Sequence, residues 1–512
     1  MKRLSLVTAC LATLSACAGE DAATLGAGPP QSGTRGVLQS GAQDIAEFRS
    51  LVAGGQVPAP EVIDATGFFA EHALDLPPAR CGHAVCANPL LAVAPRFDNT
   101  NWTMAFVSLS TAVDPTTRPR ADTHLVVVLE QRAATAVQAR EVGDTLAAAL
   151  SGLRERDRVS LIAMAEHAQV VAEAVRPQDA AALVPRGLGA TPAVGLYEGL
   201  ATASALIADT RDFVGQTRVL LITSGQATAG ITAPAQIVAT GEALVRRGVA
   251  FSVVGVGRDY LNALPRALGE MGAGTYAYAQ NIADLRDILT AEFETSLAPL
   301  ATGYRLEVRP APGYTVGRIY GARRAKVEGG AAVLEVPALF VGSRMGSRDV
   351  AGGRRGGGGG LFVELVADPA MGRARGRNAP AFTVLSSYLE SDTGERVRDT
   401  GEVLNPLAAG EVPETMWPVF SDMSRAKVFV MLNMYLALRG VTQFYEVGDC
   451  ARATGLVNMM TRANDTWLRR FPDPDLQGDD VLLQRLGDNV SQRCRAVRPV
   501  EPLTFSGGCF GI

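Results

Sequence analysis

With 512 residues the chain is too long for one hydrophobic core, and at roughly 100–200 residues per domain it predicts about three domains. Hydrophobic residues make up 47% and charged residues 20%, which excludes a disordered chain, and a net charge of −4 leaves no basic surplus for nucleic acid or an acidic membrane surface. Every basic residue except Lys2, Lys326 and Lys427 is arginine, a bias that accompanies the Ala- and Gly-rich composition and carries no functional reading.

The chain opens with Lys2 and Arg3, then a short apolar run ending in Leu14-Ser15-Ala16-Cys17. That run falls short of the ~20 residues that span a bilayer, so residues 1–16 read as a cleaved signal peptide. Its ending resembles a bacterial lipobox, which implies a mature lipoprotein with Cys17 as the lipid acceptor; the alternative is an ordinary secretory signal cut near the same place. Several acyl chains anchor stably where one is marginal. Ala18, in place of Asp, implies by analogy the outer membrane. Residues 17–40, rich in Gly, Ala, Ser and Pro, predict a flexible tether. Cysteines beyond an envelope signal are disulfides first. Cys81 and Cys86 are close enough for a local bridge, and Cys450 and Cys494 are placed to tie two helical segments together. Cys509 is then left over or competes, and spacing alone does not decide the connectivity. His83, between Cys81 and Cys86, lacks the second Cys/His pair of a zinc site.

Residues 41–90 form an N-terminal segment read as helical over 41–75, with Ile45, Phe48, Leu51 and Val52 at helical spacing. Residues 91–122 hold a β-hairpin, LLAVAPRF and WTMAFVSLS around a turn at Asp98–Asn101, and a linker at 114–122. From 123 to 300 apolar strands alternate with helices. Strands are expected at 123–130, 217–224, 249–257 and 274–279, with a further hairpin formed by DRVSLIAMA and QVVAEAV. Helices are expected near 136–153, 195–208, 233–247, 260–270 and 282–298. Continuous apolar strands between helices mean a mostly parallel sheet covered on both faces. Its ligands bind at the carboxyl ends of the strands, where Glu130, Ser224 and Gly257 lie. Residues 301–412 read as a β-sandwich. Within it AGGRRGGGGG, 351–360, is expected to be a flexible loop with Arg354 and Arg355 solvated. The strands of 91–122 are expected to join this sandwich, so that the α/β domain is inserted in it. Residues 413–512 predict a helical C-terminal domain with Met431, Met434, Met459 and Met460 in its core. The fold class is α/β: a doubly wound, mostly parallel sheet inserted in a β-sandwich, with an N-terminal helical segment and a C-terminal helical domain.

The α/β stretch resembles a von Willebrand factor type A domain. VAFSVVGVGRDYLNALPRALGEMGAGTYAYAQNIADLRDIL is similar to the family's last strand–helix–strand–helix unit, GLGATPAVGLYEGL to its central loop and helix, and RVLLITSGQATAG to its fourth strand. The flanking segments resemble one bacterial subgroup, which extends the likeness to roughly residues 41–500. Many such domains carry a metal-ion-dependent adhesion site: Asp-x-Ser-x-Ser after the first strand, a Thr in the central loop and an Asp after the fourth strand. Mg²⁺ wants about six oxygens, including one or two carboxylates. In this chain those positions are Glu130, Arg132, Ala134, Thr191 and Ser224. Two hydroxyls and one carboxylate are missing, and a guanidinium that does not lose its proton stands beside the ion's place. The site is therefore expected to hold no metal and to need no cofactor. Arg132 either pairs with Glu130 and closes the strand tip, or stands in for the metal as a fixed cation toward a partner's carboxylate. The resemblance implies a non-enzymatic, lipid-anchored cell-envelope protein that binds another envelope protein; the alternative is a Mg²⁺-dependent, adhesin-like ligand binder. No G-x-S-x-G, H-E-x-x-H or P-loop is present, and His72, His83, His124 and His167 form no catalytic pattern.

Overall fold

The structure, a computed structural model, describes residues 33–494 apart from 42–43, 75, 96, 98–100, 132–135, 186–192, 258–259, 262, 272, 349–353, 369–375 and 412–422. The signal segment, Cys17, Arg132, Ala134, Thr191 and Cys509 lie outside the described residues. In chain order, β1 (Arg35–Gln39), α1 (Ala46–Ala53), α2 (Ala65–Ala70), β2 (Cys86–Pro95) and β3 (Asn101–Thr111) come first. The α/β unit follows: β4 (Thr123–Glu130), α3 (Ala136–Ser151), β5 (Arg158–Met164), β6 (Ala168–Val175), α4 (Pro177–Leu183), α5 (Leu196–Asp209), β7 (Gln216–Thr223), α6 (Pro234–Arg246), β8 (Ala250–Val256), α7 (Ala263–Gly269), β9 (Tyr276–Ala279) and α8 (Ile282–Ala291). Then come β10 (Ala301–Pro310), β11 (Tyr314–Tyr320), β12 (Lys326–Glu328), β13 (Ala331–Val341), β14 (Gly360–Ala367), β15 (Ala379–Glu390) and β16 (Arg396–Asn405), followed by α9 (Met423–Glu446), α10 (Cys450–Arg470) and α11 (Pro474–Cys494).

The α/β sheet has the order β6-β5-β4-β7-β8-β9 and is parallel except for β6. All eight residues of β4 are buried, because both faces are covered. Leu125, Val127 and Leu129 pack with Leu146 of α3 and Leu285 of α8, while Val126 and Val128 pack with Leu200 of α5, Ile237 of α6 and Leu264 of α7. The short α4, opened by a proline and buried through Ala180 and Ala181, was not among the expected helices. At the start of β4, His124 is fully enclosed, with Nε2 2.9 Å from Ser160 Oγ and Nδ1 3.3 Å from Thr210 Oγ1. Burial pushes its pKa from 6.5 down to about 4. A depressed histidine contributes stability that is full above pH 6.5 and is lost as pH falls toward 4. The advantage of the wild type over His124→Gln should therefore shrink by about 3 kcal/mol between pH 7 and pH 4 in denaturant titrations; an unchanged difference would exclude a buried neutral imidazole.

The second sheet runs β11-β14-β3-β1-β13-β10-β15-β16, with β2 on β3 and β12 on β13. It incorporates strands from both sides of the α/β unit. Residues 35–39, expected within the tether, form β1. Arg35 and Gly36 pair with β3, and Val37 to Gln39 pair with β13, so β1 is the corner strand through which one half of the sandwich passes into the other. The two halves close on one core, with Val93, Val107 and Leu109 on one side and Leu306, Leu334 and Val384 on the other. Arg118, in the linker into the α/β unit, donates to Pro299 O at 2.7 Å in the linker out of it, and pairs with Asp392 at 2.8 Å. Of the N-terminal segment 41–90, read as helical over 41–75, the described residues hold two short helices, α1 and α2, and β2 already begins at Cys86. Asp64 caps α2 by accepting from Gly67 N at 3.0 Å. Cys81 and Cys86 are joined by a disulfide with Cα atoms 5.7 Å apart.

Strand residues of opposite parity face a third layer. Ala92, Ala94, Trp102, Met104, Phe106 and Phe362 form one core with α1, α2 and the three C-terminal helices, where Met431, Met434 and Met460 are fully enclosed. Cys450 and Cys494 link the start of α10 to the end of α11, with Cα atoms 6.0 Å apart. Among the described residues no helix is long and apolar enough to cross a membrane.

Residues 354–360, expected to be loose and solvated, are instead packed between these layers. Gly357 N donates to Ala70 O at 2.7 Å, and a Cβ on Gly357 would lie 2.5 Å from the backbone of His72. The glycines let the loop press against α2, and that approach carries arginines inward. Arg354 Nη2 is 2.9 Å from Asp479, which also takes Arg49 at 3.0 Å and His72 Nε2 at 2.6 Å. Arg344 and Lys427 converge on Asp475 at 3.0 and 2.9 Å. His72 Nδ1 lies 2.8 Å from Phe68 O, so both ring nitrogens face oxygen atoms of the surrounding layers.

Candidate functional site at the carboxyl edge of the parallel sheet

The carboxyl ends of β4 and β7 meet at Glu130. It is the last residue of β4 and 7% exposed. Its carboxylate accepts from Thr223 Oγ1 at 2.5 Å, from Ser224 N at 2.7 Å and from Ser224 Oγ at 2.6 Å. Thr223 Oγ1 in turn accepts from Gly225 N at 3.0 Å. Gln131 N donates to Met164 O at 2.8 Å, which continues the β4–β5 ladder past Glu130. The turn after β7 is held from two further sides. Val194 N donates to Thr228 Oγ1 at 2.8 Å, and Val194 O accepts from Thr228 N at 3.0 Å. Leu261 N donates to Ser224 O at 3.0 Å. Gly225 sits at φ 81°, and a Cβ there would collide with the Leu261 carbonyl, so this turn requires glycine. Leu261 itself is 58% exposed beside Ser224, and Ile231 further along the same turn is 40% exposed.

Of the positions read from the sequence, the structure brings Glu130 and Ser224 into direct contact; Arg132, Ala134 and Thr191 fall outside the described residues. Thr223 and Leu261 were not singled out. Thr223 falls within the strand expected at 217–224, and Leu261 within the helix expected at 260–270, whereas α7 is Ala263–Gly269.

A Mg²⁺ shell fits these residues poorly. Glu130 is the one carboxylate in the described contacts at the tip, and both its oxygens already accept from O–H or N–H donors at 2.5–2.7 Å. An ion there would have to reverse the Thr223 and Ser224 hydroxyls and still find several more oxygens. Among the described residues no group of three His, Cys, Asp or Glu side chains is placed to hold a metal ion. The histidines lie apart from this edge or on its rim: His167 is 82% exposed and pairs with Glu198 at 3.3 Å.

No family model and no curated protein matches the sequence. Among solved structures, the chain is similar to a von Willebrand factor type A protein from Catenulispora acidiphila at 14% identity, over 75% of this chain and 88% of that one, with a TM-score of 0.46. It is similar to the ArnB paralog VWA2 from Sulfolobus acidocaldarius at 11% identity, over 80% and 98% of the two chains, with a TM-score of 0.43. It is also similar to the conserved hypothetical protein BatB from Bacteroides thetaiotaomicron at 16% identity, over 33% and 97%, with a TM-score of 0.27.

Proposed function

We propose that this is a non-enzymatic, lipid-anchored protein of a bacterial cell envelope, held at the outer membrane through Cys17. In this reading its α/β unit works as a von Willebrand factor type A domain and binds another envelope protein at the Glu130 edge without a metal ion. The observation that carries the metal-free part is the Glu130 carboxylate, saturated by Thr223 and Ser224 where a metal site would need free oxygens. The exposed Leu261, pinned through its backbone to Ser224, places an apolar side chain at this edge for a partner to cover. The absence of catalysis is supported by the full enclosure of His72 and His124.

Affinity capture from solubilised envelopes tests the reading. A partner retained in EDTA by the wild type should be lost from Leu261→Asp, whose exposed side chain leaves the fold intact. Retention that depends on added Mg²⁺ would instead favour the adhesin-like mechanism, and undiminished retention by Leu261→Asp would remove this edge from the interface.

A further inference from the structure

We propose that Cys81 is a thiol-exchange site: the thiolate of an external dithiol attacks its sulfur, Cys86 is the leaving group, and the pair is reduced while the surrounding fold stays closed. The first observation is an asymmetry of access. Cys81, Gly82 and His83 are exposed, as is Arg80 before them, whereas Val85 and Cys86 are each only 5% exposed. Exchange begins at the sulfur that a thiolate reaches, and a cation such as Arg80 beside it favours an anionic nucleophile. The Cys450–Cys494 bridge differs. Both of its residues are half-buried at helix ends, and Cys494 packs against the helical core.

The second observation is that both sulfurs have neighbours suited to the reduced state. Cys81 N donates to Cys86 Sγ at 3.3 Å, so the sulfur that departs as a thiolate already faces an N–H. A leaving thiolate that is stabilised departs faster. Cys81 Sγ lies 3.8 Å from His83 O and 3.6 Å from Val85 O, which become acceptors for its S–H after reduction. A disulfide whose reduced form is stabilised is the more readily reduced.

The third observation is that the path of the loop has supports other than the S–S bond. Ala84 N donates to Glu390 Oε1 at 2.8 Å. Val85 N donates to Tyr388 Oη at 3.3 Å, and that hydroxyl donates to Val85 O at 2.8 Å. Tyr388 and Glu390 both belong to β15, and Cys86 itself opens β2 opposite Ser110 of β3. The loop is thus docked on the sandwich from both sheet halves, and the bond closes a separation of only 5, which adds little restraint to that docking.

The chemistry balances with a dithiol as the reductant. Its thiolate forms a bond to Cys81 Sγ as the Cys81–Cys86 bond breaks. The electron pair stays on Cys86 Sγ, which then takes a proton from water. The second thiol of the reductant, deprotonated, displaces Cys81 from the mixed disulfide and closes the reductant's own disulfide, so two electrons pass to the protein. None of this rests on the interaction reading above.

Reduction of the full-length protein by dithiothreitol under native conditions, quenched by alkylation and read at each cysteine by mass spectrometry, tests the proposal. Opening of Cys81–Cys86 should rise in proportion to dithiothreitol and outpace opening of Cys450–Cys494 on the order of tenfold, with the circular dichroism spectrum unchanged. In oxidised glutathione, Cys86→Ser should take up glutathione on Cys81, and Cys81→Ser should take up none on Cys86. The wild-type rates decide the question if either variant does not fold. A Cys81–Cys86 rate independent of dithiothreitol, equal rates at the two bridges, loss of the dichroism signal on reduction, or ready glutathione uptake on Cys86 would overturn the proposal.

Discussion

Replacing Asp479 by Ala should destabilise the protein by about 3–5 kcal/mol, the range for breaking a buried ion pair from one side. Asp479 is fully enclosed and receives Arg49, Arg354 and His72 at 2.6–3.0 Å, each from a different part of the chain. Burial alone would raise its pKa. The charges of Arg354 and His72, the His72 hydrogen bond and Arg49 outweigh that and hold the carboxyl well below the usual range. A depressed acid contributes stability present above its unfolded value of 3.8 and lost only as pH falls through the much lower folded value. At neutral pH the anion is therefore fully present, and its removal leaves Arg49 and Arg354 without their shared carboxylate and His72 without its partner. Asp488→Ala, on the exposed face of the same helix, should stay within about 0.5 kcal/mol. Denaturant unfolding of both variants checks this; equal effects would mean that the cluster is solvated and holds no layers together.

Loss of the Cys450–Cys494 bridge should cost about 4 kcal/mol, by the chain-entropy relation for a loop of this size. The two cysteines are 44 residues apart, and the loop between them contains nearly all of α10 and α11. Cys81–Cys86 closes a separation of only 5, for which the same relation gives about 2 kcal/mol. Cys450→Ser with Cys494→Ser should therefore lower the denaturant midpoint of the helical layer more than Cys81→Ser with Cys86→Ser. The reverse order would mean that native contacts of α10 and α11, rather than loop closure, set the stability there.

The doubly wound sheet is legible in the sequence because its central strands are buried on both faces. Five consecutive apolar residues, Leu125 to Leu129, leave few alternatives to a covered parallel strand. The elements that escape a sequence reading owe their state to partners far away in the chain. RGVLQ at 35–39 looks like tether, and becomes a strand only because β3 and β13 flank it. AGGRRGGGGG has the composition of a loose loop. Its missing side chains are what allow Gly357 to touch α2, and Arg354 is drawn half-buried because Asp475 and Asp479 wait in α11, more than a hundred residues later. At the tip the position of Glu130 follows from the strand pattern. Its state does not, because a ligand pattern assigns Ser224 one role and Thr223 none, whereas both hydroxyls turn toward the carboxylate.

The central claim is that this edge works without a metal ion, and thermal unfolding of the full-length protein tests it most directly. The protein is stripped with EDTA, then titrated with excess Mg²⁺ or Mn²⁺, alongside Glu130→Ala. A ligand that binds only the folded state contributes about 2.7 kcal/mol at a hundred times its Kd. The account predicts no shift in either protein. A clear rise in the wild type that disappears in Glu130→Ala would contradict it, and would mean that the Thr223 and Ser224 hydroxyls turn to coordinate an ion.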